Sequence, residues 1–237
     1  MELTVASYNI RKAVGRDRRR DPARILAVID EIDADIVALQ EADMRFGNRA
    51  SVLPKDMLKR HGWHAAAVAE RPHSLGWHGN ALLLREGIEV TGTCRVDLPT
   101  IEPRGAVRAD LSVGGRRVRM VGMHLCLTGL RRREQLRTVI EHCADEAECP
   151  TVLMGDFNEW LPNKGALRAF GGQDWTVLSP GRSFPAHRPL GTLDRIVVSD
   201  HWRVSHTDVH GSDLAAVSSD HLPVYAHLRL PKAGAEN

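Results

Sequence analysis

Aromatic residues are scarce in this chain: two Tyr, four Phe and five Trp among 237 residues. So few flat side chains leave little for stacking the bases of a single strand. Charge of one sign is also lacking. Lys and Arg total 32 against 30 acids, a net charge of +2, which excludes a strongly polycationic nucleic-acid binder but permits local basic patches. The four cysteines, Cys94, Cys126, Cys143 and Cys149, form no CxxC pair. They read as inert thiols and not as a zinc site or disulfide framework. No apolar leader segment follows Met1, because Arg11, Lys12 and the Arg18–Arg20 run arrive too early. No apolar run is long enough to span a bilayer. A cytoplasmic location and no stable protein partner are the resulting expectations.

What is present is one large domain's worth of alternating apolar runs. The segment Leu3-Thr4-Val5-Ala6-Ser7-Tyr8-Asn9-Ile10 has the β-branched content of a strand. Asp21-Pro22 reads as a helix cap with proline in the first turn. Ile25, Val28, Ile29 and Ile32 then recur at helical spacing. Ile36-Val37-Ala38-Leu39 is a short buried strand. A helix is expected over 51–61 and strands over 63–69, 80–85, 88–96, 105–113 and 116–124, with Gly114-Gly115 as a hairpin turn. A second amphipathic helix is predicted over 130–145. Further strands are expected at 151–154, 193–198, 202–210 and 222–229, so antiparallel pairing should dominate. One domain over 1–230 and a frayed tail over 231–237 complete the expected organisation.

The chemistry collects where apolar runs end: Asn9, Gln40-Glu41, His124, Asp156-Phe157-Asn158 and Ser219-Asp220-His221. Asp194 stands at the opening of another such run. Each alone has an ordinary explanation, since a Gly-Asp-x-Asn turn needs only an Asx-turn and a strand-end acid commonly caps a helix or faces water. Together, acids, amides and histidines beside core segments lose hydration, and they persist there when paired or metal-bound. That residue set suits a hard, oxygen-preferring cation with a phosphate beside it.

In this order the motifs Tyr8-Asn9-Ile10, Leu39-Gln40-Glu41, His124-Leu125, Gly155-Asp156-Phe157-Asn158, Leu193-Asp194-Arg195-Ile196 and Ser219-Asp220-His221 resemble the endonuclease/exonuclease/phosphatase superfamily over nearly the whole chain. The resemblance implies an α+β fold, a four-layer α/β/β/α sandwich. Two mixed, mostly antiparallel sheets would pack face to face with helices outside. It also implies a Mg²⁺- or Mn²⁺-dependent phosphoesterase. Glu41 looks like the principal metal ligand, with Asp220 close to the same ion and Asn9 beside it. Asp156 would orient the attacking water or help hold a second ion, and Asn158 would donate to a phosphate oxygen. His221 resembles the general base or electrostatic partner of the phosphate, held in one tautomer by Asp194. His124 is similar to the histidine of the deoxyribonuclease and sphingomyelinase branches that serves the leaving oxygen; apurinic endonucleases use a tyrosine there.

Asn80, Arg104, Arg131 and His187 are candidate substrate contacts, with Arg16, Arg18, Arg19 and Arg20 a basic cluster after Asn9. A solvated surface explains such clusters equally well. The substrate expectation is a phosphate ester: a phospholipid head group, a small phosphodiester or a nucleic acid. The alternatives are an endonuclease or exonuclease acting on DNA or RNA, and a non-catalytic phosphate-binding module.

Overall fold

The computed structural model describes residues 1–100, 102, 104–161, 164–172 and 174–231. In chain order the elements are β1 (Glu2–Asn9), α1 (Pro22–Ile32), β2 (Ile36–Gln40), α2 (Lys55–Arg60), β3 (Trp63–Ala65), β4 (Ala81–Arg85), β5 (Glu89–Val96), β6 (Gly105–Val113), β7 (Arg116–His124), α3 (Gly129–Ala144), β8 (Thr151–Asp156), β9 (Trp175–Leu178), β10 (Asp194–Ser199), β11 (Arg203–Val209), α4 (Asp213–Ser218) and β12 (Val224–Arg229). They form two six-stranded sheets, ordered β11-β12-β1-β2-β4-β3 and β5-β6-β7-β8-β10-β9. The pairs β1–β2 and β7–β8 are parallel and the other described pairs antiparallel. Each parallel pair is spanned by a helix, α1 in one sheet and α3 in the other, as a parallel connection requires. The four-layer sandwich is therefore as expected.

Side-chain alternation explains the layers. In β1, Leu3 and Val5 enter the core between the sheets, while Ala6 and Tyr8 face the α1 layer. In β2, Ile36 and Ala38 point inward and Val37 and Leu39 outward. The second sheet repeats the rule: Val118 and Met120 of β7, Val152 and Met154 of β8, and Ile196 and Val198 of β10 fill the central layer. Val121, Met123, Leu153 and Val197 pack with Leu136 and Val139 of α3.

α1 begins as the sequence predicts: Asp21 Oδ1 accepts from the Arg24 N–H at 3.1 Å and Pro22 opens the helix. The helix expected over 51–61 is shorter, Lys55–Arg60, because Pro54 precedes its first turn. The strand expected over 63–69 ends at Ala65, where pairing with β4 stops at Leu83. Strand β9 and helix α4 were not expected. α4 is a short helix of six residues capped by Ser212 Oγ accepting from the Ala215 N–H at 3.0 Å. Beyond Pro231, the expected tail lies outside the described residues. All four cysteines are free, three buried and Cys94 half-exposed. Among the described residues no helix is long and apolar enough to cross a membrane.

Candidate active site

Strand parity carries the polar residues into the central layer. Asn9 shares its face with Leu3 and Val5, His124 with Val118 and Met120, Asp156 with Val152 and Met154, and Asp194 with Ile196. Register then brings them to one end. Asp156 lies opposite both His124 and Asp194 in its own sheet, and Asn9 lies opposite Gln40 in the other. Both parallel pairs thus deliver their carboxyl ends to the same edge of the sandwich. β12 runs antiparallel to β1, so its approach segment, Ser219-Asp220-His221, arrives there too.

Asp156 is the junction. Its Oδ2 accepts from Asn9 Nδ2 at 3.1 Å, bridging the two sheets, and lies 3.2 Å from His124 Nε2 and 3.7 Å from His221 Nε2. Its Oδ1 accepts from the Asn158 backbone N–H at 2.9 Å. Burial would raise this carboxyl group's pKa, but the His221 and His124 imidazoles outweigh it and hold the group well below the usual carboxylate range. The Asn158 side chain donates to the Leu125 carbonyl at 2.9 Å, leaving one amide hydrogen for another acceptor.

His221 is held from its other side. Asp194 Oδ2 accepts from His221 Nδ1 at 2.9 Å and from the Ser183 hydroxyl. Asp194 is fully buried and its Oδ1 has no hydrogen-bond partner. Burial pushes Asp194 up. On His221 burial acts downward, but Asp194 and Asp156 overcome it and push the imidazole up to about 10. Phe184 packs on the ring with centroids 4.8 Å apart. Asp156, Asp194 and His221 place one ligand atom each within 4.8 Å of one another.

Glu41 and Asp220, the expected metal ligands, are more exposed and stand outside that cluster. Each is offset by a cation from the turn after β1. Lys12 Nζ is ion-paired with Glu41 Oε2, and Arg11 Nε lies 3.3 Å from Asp220 Oδ2. Burial would raise Glu41, but Lys12 lowers it, the net shift being downward. The turn is strained: Arg11, Lys12 and Ala13 all have positive φ, as does Glu41 at 55°. Gly79 (φ 80°) lets its backbone approach Glu41, since a Cβ there would lie 3.3 Å from the Glu41 Cα. Carboxylate oxygens are the donors a hard divalent ion prefers, and an ion taking these would compete with Lys12 and Arg11 for them.

Glu41, Lys12 and His124 line a pocket with Arg104, Arg49 and His78. Arg104 contacts His124 Nε2 and lies 3.4 Å from Glu102 Oε2. The same His124 nitrogen faces Asp156, so it accepts from the guanidinium or donates to the carboxylate according to its tautomer. The other substrate candidates fare differently. Asn80 is fully buried and spends its amide on the Trp77 and Gly105 carbonyls at 3.3 and 3.0 Å. This corrects the expectation that it meets substrate, since its site ties β4 to β6. Arg131 pairs with Glu134 on the surface of α3 at 2.8 Å, and His187 is exposed on the 184–191 loop. Neither lines the pocket.

Sequence reasoning gave no site role to Lys12, Arg11 or Ser183 and named Ser219 only within the last motif. Ser219 Oγ donates to the Asn9 carbonyl at 2.7 Å, fixing the last motif against the first. No local pattern announces these contacts. Only the position of Lys12, three residues past Asn9, offered a hint.

Comparison with known proteins bears on the family and the fold. YbhP of Escherichia coli (strain K12) is 27% identical over 243 residues, covering 95% of this chain and 96% of that protein. The endonuclease/exonuclease/phosphatase of Beutenbergia cavernae DSM 12333 superposes with a TM-score of 0.75 at 23% identity, covering 99% of this chain and 73% of that one. The mannosyl-6-phosphatase of Bacteroides thetaiotaomicron VPI-5482 superposes with a TM-score of 0.74 at 20% identity, covering 96% of this chain and all of that one. At these identities the structural likeness speaks for the fold. Residues 6–221 match the Endonuclease/Exonuclease/phosphatase family, so the chain belongs to that family, whose members hydrolyse phosphoester bonds and generally depend on a divalent metal.

Proposed function

We propose that this protein is a Mg²⁺- or Mn²⁺-dependent phosphoesterase that cleaves a phosphodiester or phosphomonoester by attack of water. The observation that supports it most is the Asp156 carboxylate, on which Asn9, His124 and His221 converge from both sheets. A divalent ion held by Glu41 and Asp220 would supply positive charge against the phosphate as negative charge builds in the transition state.

The side chains then divide the work. Asp156, kept ionised by two imidazoles, accepts a hydrogen from the attacking water and orients it. Asp194 occupies Nδ1 of His221, so Nε2 is the nitrogen that faces Asp156 and the phosphate. With its pKa pushed up, His221 is an imidazolium at neutral pH and donates to a phosphate oxygen, the electrostatic role anticipated for it. Asn9 and the free amide hydrogen of Asn158 are donors for the other oxygens. Arg104 and His124 together face the leaving oxygen, with the guanidinium biasing the imidazole tautomer.

The test is hydrolysis of bis-p-nitrophenyl phosphate with Mg²⁺, Mn²⁺ or chelator. Glu41→Gln and His221→Ala are expected to abolish turnover while far-UV circular dichroism is unchanged. Equal activity in both variants and wild type would refute the assignment. A nuclease reading draws on the exposed arginines after Asn9. It requires cleavage of DNA or RNA that falls steeply as salt rises.

A further inference from the structure

Among the described residues, six of the eight large apolar side chains left in water stand on segments that continue from the site residues, the other two being Val204 of β11 and Val217 of α4. Leu127 (63% exposed) and Leu130 (69%) follow His124, Trp160 (56%) and Leu161 (50%) follow Asn158, and Leu190 (60%) ends the loop that carries Phe184. Phe46, 83% exposed, sits between the pocket residues Arg45 and Arg49. Singly exposed leucines need no explanation, but a group bordering one cleft does.

These loops are fastened to one another. Arg132, 7% exposed, donates to the Leu127 carbonyl at 2.6 Å and lies 3.3 Å from Glu159 Oε2, itself on a residue 3% exposed. Glu159 accepts in turn from the backbone N–H groups of Leu161 at 3.2 Å and Ala166 at 2.9 Å. The Trp160 ring lies against Gly191, where any Cβ would come within 2.7 Å of it, and meets Phe184 edge-on at 6.2 Å. Phe184 packs on His221. A buried ion pair and a chain of edge-on and tilted ring contacts running to His221 therefore hold leucines and a tryptophan out into solvent. A buried charge pair is costly to assemble unless well satisfied, and here it fixes the loop surface to the segment around Ala166, which is part of the core under α3.

Exposed arginines flank the same loops: Arg133 on α3, Arg188 beside Leu190, and Arg45 beside Phe46. Leucine, tryptophan and phenylalanine rimmed by arginine form the pattern that partitions into the headgroup region of an anionic bilayer. We infer that this rim docks the protein on an anionic phospholipid surface, so that the cleft opens onto phosphate esters held at that surface. Single-stranded nucleic acid fits less well, because four of the six apolar side chains are leucines, which give no stacking face. The docking stands apart from catalysis, whereas the identity of the substrate as an interfacial phosphate ester rests on the phosphoesterase reading.

The experiment is co-sedimentation of the full chain with phosphatidylcholine–phosphatidylglycerol vesicles. The triple variant Leu127→Ser, Leu130→Ser, Leu190→Ser should partition roughly tenfold or more weakly, by loss of the inserted apolar surface. Its circular dichroism should be unchanged. Wild-type tryptophan emission should be quenched by brominated acyl chains, and Trp160→Phe should lose most of that quenching. Glu41→Gln should sediment like wild type, which separates docking from hydrolysis. Wild-type protein that stays in the supernatant, or a triple variant that binds as well as wild type, overturns the inference. So does a rim that instead retains a single-stranded oligonucleotide in preference to vesicles.

Discussion

Replacing Asp194 by Asn removes one negative charge 2.9 Å from His221 Nδ1 while keeping a group of nearly the same shape. In the wild type the imidazole stands at about 10 against an ordinary 6.5, and Asp194 contributes more of that rise than Asp156 does. Net of the opposing burial, the rise corresponds to a free energy on the order of 5 kcal/mol. His221 is only 5% exposed, so solvent screening removes little of this. The folded-state pKa lies above the unfolded one. The stabilisation is therefore fully present below about pH 6.5 and is lost as pH rises through about 10. In Asp194→Asn, burial opposes the charge with only Asp156 to offset it, so that loss should shrink by about 3 kcal/mol. Urea unfolding in chelator, run on both proteins from pH 6.5 to pH 10, measures the difference and cancels other titrating groups. Turnover at neutral pH should fall roughly 10–100-fold, as when a group that orients an active histidine is removed. A variant whose stability declines as steeply as the wild type's across that interval would refute the electrostatic account of this pair.

Lys12→Met should lower the Mg²⁺ or Mn²⁺ concentration needed for half-maximal thermal stabilisation, because it removes the ammonium ion from Glu41. A higher or unchanged requirement would mean that Lys12 and the metal do not share that carboxylate. Arg119→Met tests the scaffold. The guanidinium is 1% exposed and donates to Asp110 at 2.8 Å and to the Cys143 carbonyl at 3.2 Å. Because Arg108 still faces Asp110 at 3.1 Å, the cost should sit at the lower end for a broken buried pair, about 3 kcal/mol. A chain of this length then melts about 6–12 °C lower, and a shift under 2 °C would contradict the burial argument.

The strand-end chemistry was legible because two simple regularities coincide in this chain. Alternation in each strand marks which residues share a face, and the sudden appearance of Asn9, His124 or Asp156 after inward-facing aliphatics marks where that face leaves the core. Helix α1 was legible for a similar reason, its cap and its apolar spacing being contiguous in sequence. What remained hidden depends on contacts between distant segments. The Lys12–Glu41 pair spans 29 residues and Ser219–Asn9 spans 210. The Asn80 side chain could be read as a cleft donor until the Gly105 carbonyl of a different sheet was found beside it.

The arrangement of the parallel pairs explains why one fold can expose such a site without destabilising its core. β1–β2 and β7–β8 belong to different sheets, yet both end at the same edge, each pair joined by its own crossover helix on the outer face. The inner face is filled by aliphatics along the strands and turns polar only at this end. Asn9 and Asp156 meet there at 3.1 Å, one from each sheet. A one-residue slip of β1 or β8 in register would turn Asn9 or Asp156 away from the central layer and put Tyr8 or Ile10, or Gly155 or Phe157, in its place. The same packing that stabilises the sandwich thus fixes the spacing of the polar groups. The geometry of the cleft is accordingly set by the cores on both sides of it.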